Sequence, residues 1–190
     1  MNAHIESVEL EKAYRLINHG PTTLVSSSHD GIDNVMSASW VCGLEFKPAK
    51  LTVVLDKSTF TRKLIEQSHK FVIHVPTVSQ AQMVHYLGTH SFTEQSDKLA
   101  TAGVEFFQLP ESDLPLVAGC AAWLYCELIP IEQNQIDHDL FIGEIKGAWA
   151  DSRVFKEGRW LFEDAPEEMR SLHYIAGKRF YKTGSLLDVE

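Results

Sequence analysis

One stretch of the chain decides the predicted fold: Asn34-Val35-Met36-Ser37-Ala38-Ser39-Trp40. Its side chains alternate with a period of two, which predicts a β-strand over residues 34–42. Because residues 37–39 are all small, a flat ligand could lie close to this backbone and use its N–H and C=O groups. On one face we expect Val35, Ser37, Ser39 and Val41, and on the other face Met36, Ala38, Trp40 and Cys42.

A second stretch, Asp56-Lys57-Ser58-Thr59-Phe60-Thr61, follows an apolar strand at 51–55 and begins a helix predicted over 60–67. Unpaired N–H groups and the positive end of the dipole make a helix N-terminus a favourable place for an anion. Ser and Thr also favour ordinary helix caps, so a plain N-cap is the alternative. Phosphate is favoured by the hydroxyls of Ser58, Thr59 and Thr61 and the cations of Lys57, Arg62 and Lys63.

Length and composition limit the class of protein. The chain has 190 residues, 44% hydrophobic and 23% charged, and we expect a single domain over 1–190. A net charge of −9 argues against nucleic acid and anionic membranes as partners. Cys42, Cys120 and Cys126 lie in apolar runs without a CxxC motif, so we expect reduced thiols in a cytoplasmic protein. We expect neither an apolar leader nor a membrane span.

The rest of the pattern predicts many strands and few helices. Asp30-Gly31 predicts a hairpin turn before residue 34, and Lys47-Pro48-Ala49 predicts a second turn. Without regular βαβ alternation, this order favours a mainly β fold with peripheral helices, a closed antiparallel β-barrel. We expect further strands at 22–28, 71–75, 104–107, 121–129 and 140–149, helices at 9–17, 79–87, 97–101 and 166–169, and a loop at 133–138.

Three local patterns refine this prediction. The strand at 51–55 is apolar throughout, which favours a strand covered on both faces. Ser79-Gln80-Ala81-Gln82 matches a capping box that begins the helix at residue 79. In the strand at 140–149, strict alternation places Phe141 and Trp149 on the same face.

Five motifs occur in a characteristic order: Gly20-Pro21-Thr22, the two stretches above, residues 137–144 (Asp-His-Asp-Leu-Phe-Ile-Gly-Glu) and Leu172-His173-Tyr174. In order and spacing the chain resembles the flavin reductase-like family, particularly its flavoredoxin branch, over residues 12–184. The resemblance implies an antiparallel split β-barrel of Greek-key type that binds FMN without a covalent bond, usually as a homodimer with the flavin near the subunit interface. Family members pass electrons from a reduced nicotinamide, NAD(P)H, or a protein donor through flavin to free flavin, ferric chelates or another acceptor.

The resemblance also implies roles for individual residues. Ser58, Thr59 and Thr61, with Lys63 or Arg62, would hold the FMN phosphate. Asn34 would meet the ribityl chain or the ring, and Tyr174 would cover the ring or else pack onto the barrel. Backbone donors near the ring's N5 and O4 tune the potential of a flavin, which is the usual contribution of the protein. The residues expected along the ring edge are Met36, Ser37, Ala38, Ser39 and Trp40.

His138 is the candidate catalytic residue. It lies between Asp137 and Asp139, and two adjacent carboxylates would favour its protonated form. We expect it near the flavin or the acceptor, supplying a positive charge or a proton; the alternative is an ordinary surface histidine. His85, His90 and His173 match no compact zinc spacing, so we expect no metal site.

Other reaction classes lack their motifs. No G-x-S-x-G elbow marks a nucleophile, and no G-x-G-x-x-G follows a strand, so a nicotinamide would bind only transiently, near Gly88-Thr89-His90-Ser91. The function predicted first is hydride or electron transfer through bound FMN. A flavoredoxin-like carrier that never uses NAD(P)H, a flavin-binding module without turnover, and pyridoxamine-phosphate oxidase-like chemistry remain alternatives.

Overall fold

The computed structural model describes residues 4–189, and residues 1–3 and 190 lie outside the described part. An antiparallel sheet of eight strands dominates it, with short helices around the sheet, which confirms the predicted mainly β fold. The strands are β1 (Ile5–Ser7), β2 (Thr23–His29), β3 (Ile32–Ala38), β4 (Val41–Phe46), β5 (Ala49–Val54), β6 (Lys70–Val75), β7 (Phe106–Phe107), β8 (Leu116–Val117), β9 (Ala122–Ile129), β10 (Leu140–Asp151), β11 (Phe155–Lys156), β12 (Arg159–Trp160), β13 (Leu172–Ala176) and β14 (Arg179–Lys182). The α-helices are α1 (Phe60–Ser68), α2 (Ala81–Thr89), α3 (Lys98–Thr101) and α4 (Glu132–His138), and 3₁₀ helices cover Leu10–Leu16, Val78–Gln80 and Glu167–Met169.

The order of the strands forces the sheet to curl. Neighbours follow the path β3-β2-β6-β9-β10-β5-β4, and β1 pairs with the distal part of β10. Strands β3 and β4 therefore lie at opposite edges of the sheet, although only Ser39 and Trp40 separate them in the chain. Three Cα–Cα steps span at most about 11 Å, so the two edges have to approach one another. The sheet becomes a barrel that is split along the seam between β3 and β4.

The prediction of one continuous strand over 34–42 is wrong at this seam. The chain leaves one edge of the sheet after Ala38 and enters the other edge at Val41, so the alternation of side chains stops between them. Ser39 and Trp40 are both exposed, Trp40 to 73%. The small residues therefore lie beside an opening in the barrel rather than in the middle of a strand.

Two apolar clusters lie on the two faces of the sheet. The first fills the barrel and includes Leu51, Phe71 and Leu124. The second includes Trp123 and Leu87 and lies under α2 and the β7–β8 hairpin. Burial of this apolar area on both faces is the main source of stability for such a fold.

Strand β10 does not keep the strict alternation that was predicted. Its register against β9 shifts between Ile145 and Gly147, which is a β-bulge. An extra residue in one strand moves every later side chain to the opposite face. Phe141 therefore lies in the barrel core, whereas Trp149 lies in the outer cluster, and the prediction that they share a face is wrong.

Three further predictions need correction. Residues 133–138 form most of helix α4 rather than a loop; the helix buries no residue, so it lacks the apolar periodicity that would have predicted it. The capping box is formed by Thr77 and Gln80, two residues before the predicted start at Ser79. Strand β5 is fully covered on one face only, with Leu51 and Val53 buried but Thr52 half-buried.

The hairpin β13–β14 was not predicted. It packs beside the start of β2, where the backbone N–H of Tyr174 donates to the Thr22 hydroxyl at 2.7 Å. No helix within residues 4–189 is both long and apolar enough to cross a membrane.

Candidate functional site

The two stretches singled out from the sequence meet in the structure. Asn34 on β3 donates from Nδ2 to the hydroxyl of Thr61 on α1 at 2.8 Å. Asn34 is 1% exposed and Thr61 is fully buried, so this bond is shielded from water. A hydrogen bond between two buried side chains fixes the start of α1 against the strand.

A cleft with three lobes opens around Ser37. The first lobe, of about 210 Å³, lies between β3, the start of α1 and the segment after α2. The second lobe, of about 460 Å³, lies at the β3–β4 seam and reaches His138. The third lobe, of about 180 Å³, lies between α2 and the β13–β14 hairpin. Residues of both predicted stretches line the cleft: Asn34, Met36, Ser37, Ser58, Thr59 and Thr61 in the first lobe, and Met36, Ser37, Ala38, Ser39, Trp40, His138 and Tyr174 in the second.

The hydroxyls before α1 are already used by a local turn. Asp56 Oδ1 accepts from the Ser58 backbone N–H at 2.8 Å and from the Ser58 hydroxyl at 2.6 Å. Thr59 donates its hydroxyl to the Asp56 carbonyl oxygen at 2.8 Å, and it makes no side-chain cap to the helix. The bonds from Ser58 hold the pKa of the Asp56 carboxyl below its usual value. The first N–H groups of α1 remain the donors that this end of the helix offers an anion.

Arg62 has a structural role. Its guanidinium donates to the carbonyl oxygens of Leu55 at 3.0 Å and of Gln135 at 2.8 Å. It also pairs with the carboxylates of Glu66, at 2.8 Å, and of Asp139. With its donors used in this way, Arg62 connects α1 to the end of β5 and to α4 instead of pointing a charge into the cleft.

A cation that the sequence analysis missed borders the first lobe. Lys98 on α3 is 2% exposed, and its Nζ donates to the His90 carbonyl oxygen at 2.9 Å. Burial lowers its pKa to about 8, and within residues 4–189 no carboxylate pairs with it. Lys63, the cation predicted for this role, is exposed and does not line any of the three lobes. A buried ammonium without a counter-ion is costly and is a common mark of a ligand site.

Lys98 could not be recognised from its sequence position. It follows Asp97 in a polar, irregular segment where a lysine is normally solvated. In the structure it is the buried residue of α3 and lines the first lobe.

A second buried polar atom also lacks a partner. Asn34 Oδ1 is inaccessible to solvent and accepts no hydrogen bond from the described residues, although its amide nitrogen is satisfied. Together with the buried Lys98 ammonium, it gives the first lobe one unused acceptor and one unneutralised cation. A ribityl hydroxyl and a phosphate supply the matching donor and anion, so the residues present fit FMN.

The strand segment along the cleft is held from behind. Ser37 donates its hydroxyl to the Val84 carbonyl oxygen of α2 at 2.5 Å, and Ala38 is buried in the barrel core. Met36 is half-buried against the same core. Gly88 lies so close to Ser37 that a Cβ there would come within 3.3 Å of the serine Cβ. These contacts hold the segment rigid next to the open space.

His138 is the last residue of α4 and is exposed at the second lobe. The carboxylates beside it have other partners: Asp137 accepts from Gln133, and Asp139 pairs with Arg62. Neither forms an ion pair with His138 among the described residues. The structure thus brings His138 to the cleft together with Trp40 and Tyr174, but without the carboxylate contacts that the sequence indicated.

The third lobe contains two residues, His85 and Phe180, to which the sequence analysis gave no role in the cleft. His85 of α2 faces Tyr174 and Phe180 of the β13–β14 hairpin across it. Tyr174 is 47% exposed and packs edge-on against the Phe180 ring, with the ring centroids 5.5 Å apart. His85 was considered only as a metal ligand; within residues 4–189, no three His, Cys, Asp or Glu side chains come together as a metal site.

A split barrel whose seam opens into a cleft lined by small residues, hydroxyls and aromatic rings has the architecture of the split-barrel flavoproteins. The model of the flavin reductase like domain matches residues 15–180 of this chain. The chain belongs to this family.

Three relatives illustrate the match. An FMN-binding domain of a flavin reductases-like enzyme from Shewanella baltica OS155 is 57% identical, with a TM-score of 0.96 over 98% of this chain and 97% of that chain. Flavoredoxin of Desulfovibrio vulgaris (Miyazaki F) is 26% identical, with a TM-score of 0.74 over 90% of each chain. The uncharacterized protein YddH of Escherichia coli (strain K12) is 39% identical over 93% of this chain and 94% of its own length. These matches confirm the predicted family and split-barrel fold, and the FMN-binding relative agrees with the predicted cofactor.

Proposed function

We propose that this protein is an FMN-dependent oxidoreductase that passes electrons from a reduced nicotinamide, NAD(P)H, to free flavin, a ferric chelate or another small acceptor. The observation that carries the proposal is a pair of buried groups at one end of a cleft with a small-residue wall: Asn34 Oδ1, which accepts no hydrogen bond from the described residues, and the Lys98 ammonium, which has no counter-ion among them. Bound FMN supplies a ring that accepts a hydride and releases electrons singly or in pairs.

Each part of the chain has a distinct share in this function. Lys98 and the N–H groups at the start of α1 bind the phosphate in the first lobe. Asn34 accepts a hydroxyl of the ribityl chain. Residues 36–40 line the second lobe, where their backbone would offer donors to the ring, and Tyr174 would limit access of water from the hairpin side.

His138 is the residue proposed to donate a proton or stabilise negative charge on the reduced ring. It is exposed at the second lobe, where a group that exchanges protons with solvent has to lie. We expect His138→Ala to keep its affinity for FMN and to slow turnover about a hundredfold or more, because the lost group acts in the reaction rather than in binding. Unchanged turnover would remove His138 from the mechanism.

The cofactor part of the proposal is tested with a matched pair of ligands. We expect purified protein to show the absorption bands of oxidised flavin and Lys98→Gln to bind FMN about tenfold to a hundredfold more weakly, since charge-assisted hydrogen bonds contribute about 1.5–3 kcal/mol. Riboflavin lacks the phosphate, so its dissociation constant should not change. Lys63→Gln is the control and should leave both constants unchanged; equal losses for FMN and riboflavin would contradict the role of Lys98.

A flavoredoxin-like carrier is the second candidate, and the exposure of the second lobe beside Trp40 favours it, because an open flavin edge can exchange electrons with a protein. Mixing oxidised holoprotein with NADH or NADPH in a stopped-flow instrument separates the two candidates. Rapid bleaching of the flavin band supports the reductase. Slow bleaching with both nucleotides, together with reduction by a redox protein, supports the carrier.

We also propose a homodimer in which the second copy covers β4. This strand is an edge of the sheet, and it presents Leu44 and Phe46, which are 51% and 62% exposed; the exposed Trp40 immediately precedes the strand in the chain. Exposed apolar side chains on a sheet edge are typical of an interface. Because Trp40 lines the second lobe, such a partner would lie beside the flavin.

We also propose a cytoplasmic location, because the buried free thiols Cys120 and Cys126 suit a reducing compartment.

A further inference from the structure

Helix α4 carries His138 but has no apolar anchor. None of its 7 residues is buried, and its N-terminus has no side-chain cap. The His138 ring is exposed and forms no hydrogen bond and no ion pair with the described residues. The position of this ring at the second lobe therefore depends on the contacts that hold the backbone of α4 in place.

Arg62 provides most of these contacts. Its Nη2 donates to the Gln135 carbonyl oxygen at 2.8 Å, and its Nη1 pairs with the Asp139 carboxylate. Gln135 precedes His138 in the last turn of α4 and Asp139 directly follows it, so the guanidinium binds this turn on both sides of the histidine. Among the described residues, the other hydrogen bond from a different element runs from the Leu55 N–H to the Asp139 carbonyl oxygen, at 2.9 Å.

The guanidinium is itself fixed in one orientation. Arg62 is 6% exposed, its Nη1 also donates to the Leu55 carbonyl oxygen at 3.0 Å, and its Nε pairs with Glu66 at 2.8 Å. Its Cζ lies over the ring of the buried Phe141, 5.1 Å from the ring centroid. A planar fork that uses several donors and stacks on a ring holds its acceptors in a geometry that a lysine does not reproduce.

Asp139 bends the chain immediately after the histidine. Its φ of 54° lies in the left-handed region, and its backbone N–H donates to the Asn134 carbonyl oxygen. Asp139 also lines the second lobe together with His138. A shift of Asp139 would therefore move the histidine relative to the space proposed for the flavin ring, and a displacement of about 1 Å can slow a reaction about a hundredfold.

We propose that Arg62 is a positioning residue: through its bonds to the last turn of α4, it holds His138 against the second lobe. This inference rests on the proposed function, in which His138 acts on the reduced flavin. It gives Arg62 a role in turnover in place of the phosphate contact expected from the sequence. Because Arg62 lies in the first turn of α1, the same side chain connects the phosphate end of the cleft to the histidine end.

The two carboxylates that pair with Arg62 provide a matched pair of variants. Asp139→Asn removes the charge on the α4 side, and asparagine tolerates the left-handed conformation. Glu66→Gln is the control, since Glu66 bonds Arg62 alone among the described residues and lines none of the three lobes. Arg62→Lys is a second test variant, which keeps the charge but loses the fork. Each is prepared as full-length protein, alone and combined with His138→Ala.

We expect Asp139→Asn and Arg62→Lys to slow turnover about threefold to thirtyfold, because the histidine is displaced but still present. Asp139→Asn should bind FMN as the wild type does, and Glu66→Gln should turn over as the wild type does. In the His138→Ala background, the two test substitutions should change turnover by less than about twofold, since the residue that they displace is already absent.

A second measurement needs no flavin. The amide hydrogens of Leu55 and Asp139 are bonded where α4 joins the barrel, so their exchange with solvent reports how firmly this turn is held. In flavin-free protein, we expect both amides to exchange about threefold to thirtyfold faster in Asp139→Asn and Arg62→Lys, as the loss of a charged hydrogen bond implies. Glu66→Gln should leave both exchange rates unchanged.

The proposal is overturned if Asp139→Asn and Arg62→Lys turn over as wild type, if they slow turnover by the same factor with and without His138, or if Glu66→Gln has the same effect. Unchanged exchange at Leu55 and Asp139 would also overturn it. Failure of the proposed function gives a different result: the wild-type protein would lack a flavin spectrum, or His138→Ala would turn over as wild type. The exchange rates still decide in that case whether Arg62 holds the last turn of α4.

Discussion

Lys98 shows how a single residue can favour ligand binding while it lowers the stability of the ligand-free protein. The residue is 2% exposed, and its ammonium bonds only the His90 carbonyl oxygen among its described contacts. Burial lowers its pKa below the usual range of a lysine, to about 8. At neutral pH the folded protein therefore keeps a desolvated positive charge that an unfolded chain would expose to water.

The sign of the effect on stability follows from this shift. Below pH 8 the lysine is charged in both the folded and the unfolded state, so the full penalty applies; above its unfolded pKa, about 10.4, the penalty vanishes. We expect Lys98→Met to raise the free energy of unfolding of flavin-free protein by about 1–3 kcal/mol at pH 7. The gain should fall steadily as the pH rises from 8 towards 10.4. Urea unfolding followed by circular dichroism measures it.

Lys63→Met is the control for this measurement, because Lys63 is exposed on α1. Its free energy of unfolding should match that of the wild type within about 0.5 kcal/mol at every pH. A Lys98→Met gain that is absent at pH 7, or that grows with pH, would show that the ammonium is well solvated or paired in the folded protein.

At the level of strands and helices, the sequence predicts those elements whose apolar residues recur with a regular period. The strands at 22–28, 71–75 and 121–129 were predicted within a residue or so, since apolar side chains cover their inner face. Helix α4 and the β13–β14 hairpin escaped prediction because they bury few or no apolar side chains of their own. The bulge in β10 was not predicted, because one extra residue does not change the composition of the strand.

The candidate site was predictable to a similar degree. The sequence predicted that the stretches at 34–40 and 56–61 take part in one site, and Asn34 and Thr61 do meet, although the bond between them was not predicted. What the sequence could not supply was the packing that decides which cation is buried and which is solvated. Lys63 and Lys98 are chemically identical, and only the contacts of their helices distinguish them.

Strand β10 also gives a prediction for packing. Gly143 lies against the Phe71 ring, and a Cβ added there would come within 2.5 Å of that ring and 3.0 Å of Cys126 Cβ. We expect Gly143→Ala to lower the free energy of unfolding by about 1–3 kcal/mol, the usual cost of overpacking a core. Thermal unfolding should show a midpoint about 2–9 °C below wild type. Gly184→Ala, where a Cβ meets nothing within 4 Å, should leave the midpoint unchanged; a neutral Gly143→Ala would mean that the ring has room to move.

At the scale of the whole molecule, the curl of the sheet creates the cleft and the proposed interface together. One edge of the sheet, β3, supplies the wall of the cleft, and the other edge, β4, carries the exposed apolar residues. Since two residues join these edges, whatever covers β4 also affects the mouth of the second lobe.

The proposed dimer is tested on β4. We expect Leu44→Lys to shift sedimentation from dimer to monomer and to weaken FMN binding, because a charge replaces an apolar contact at an edge that adjoins the cleft. Ile32→Lys places the same charge on β3, at a side chain that is 40% exposed, and should leave the dimer intact. A Leu44→Lys protein that sediments like wild type would locate the interface elsewhere.

The three cysteines differ in their accessibility to alkylating reagents. Cys120 and Cys126 are buried, and burial raises the pKa of both thiols, so neither reacts readily with an alkylating reagent. Cys42 is exposed on β4. A maleimide spin label should therefore attach to Cys42 in the monomeric Leu44→Lys protein, and slower labelling of the wild-type protein would report a second copy lying over β4.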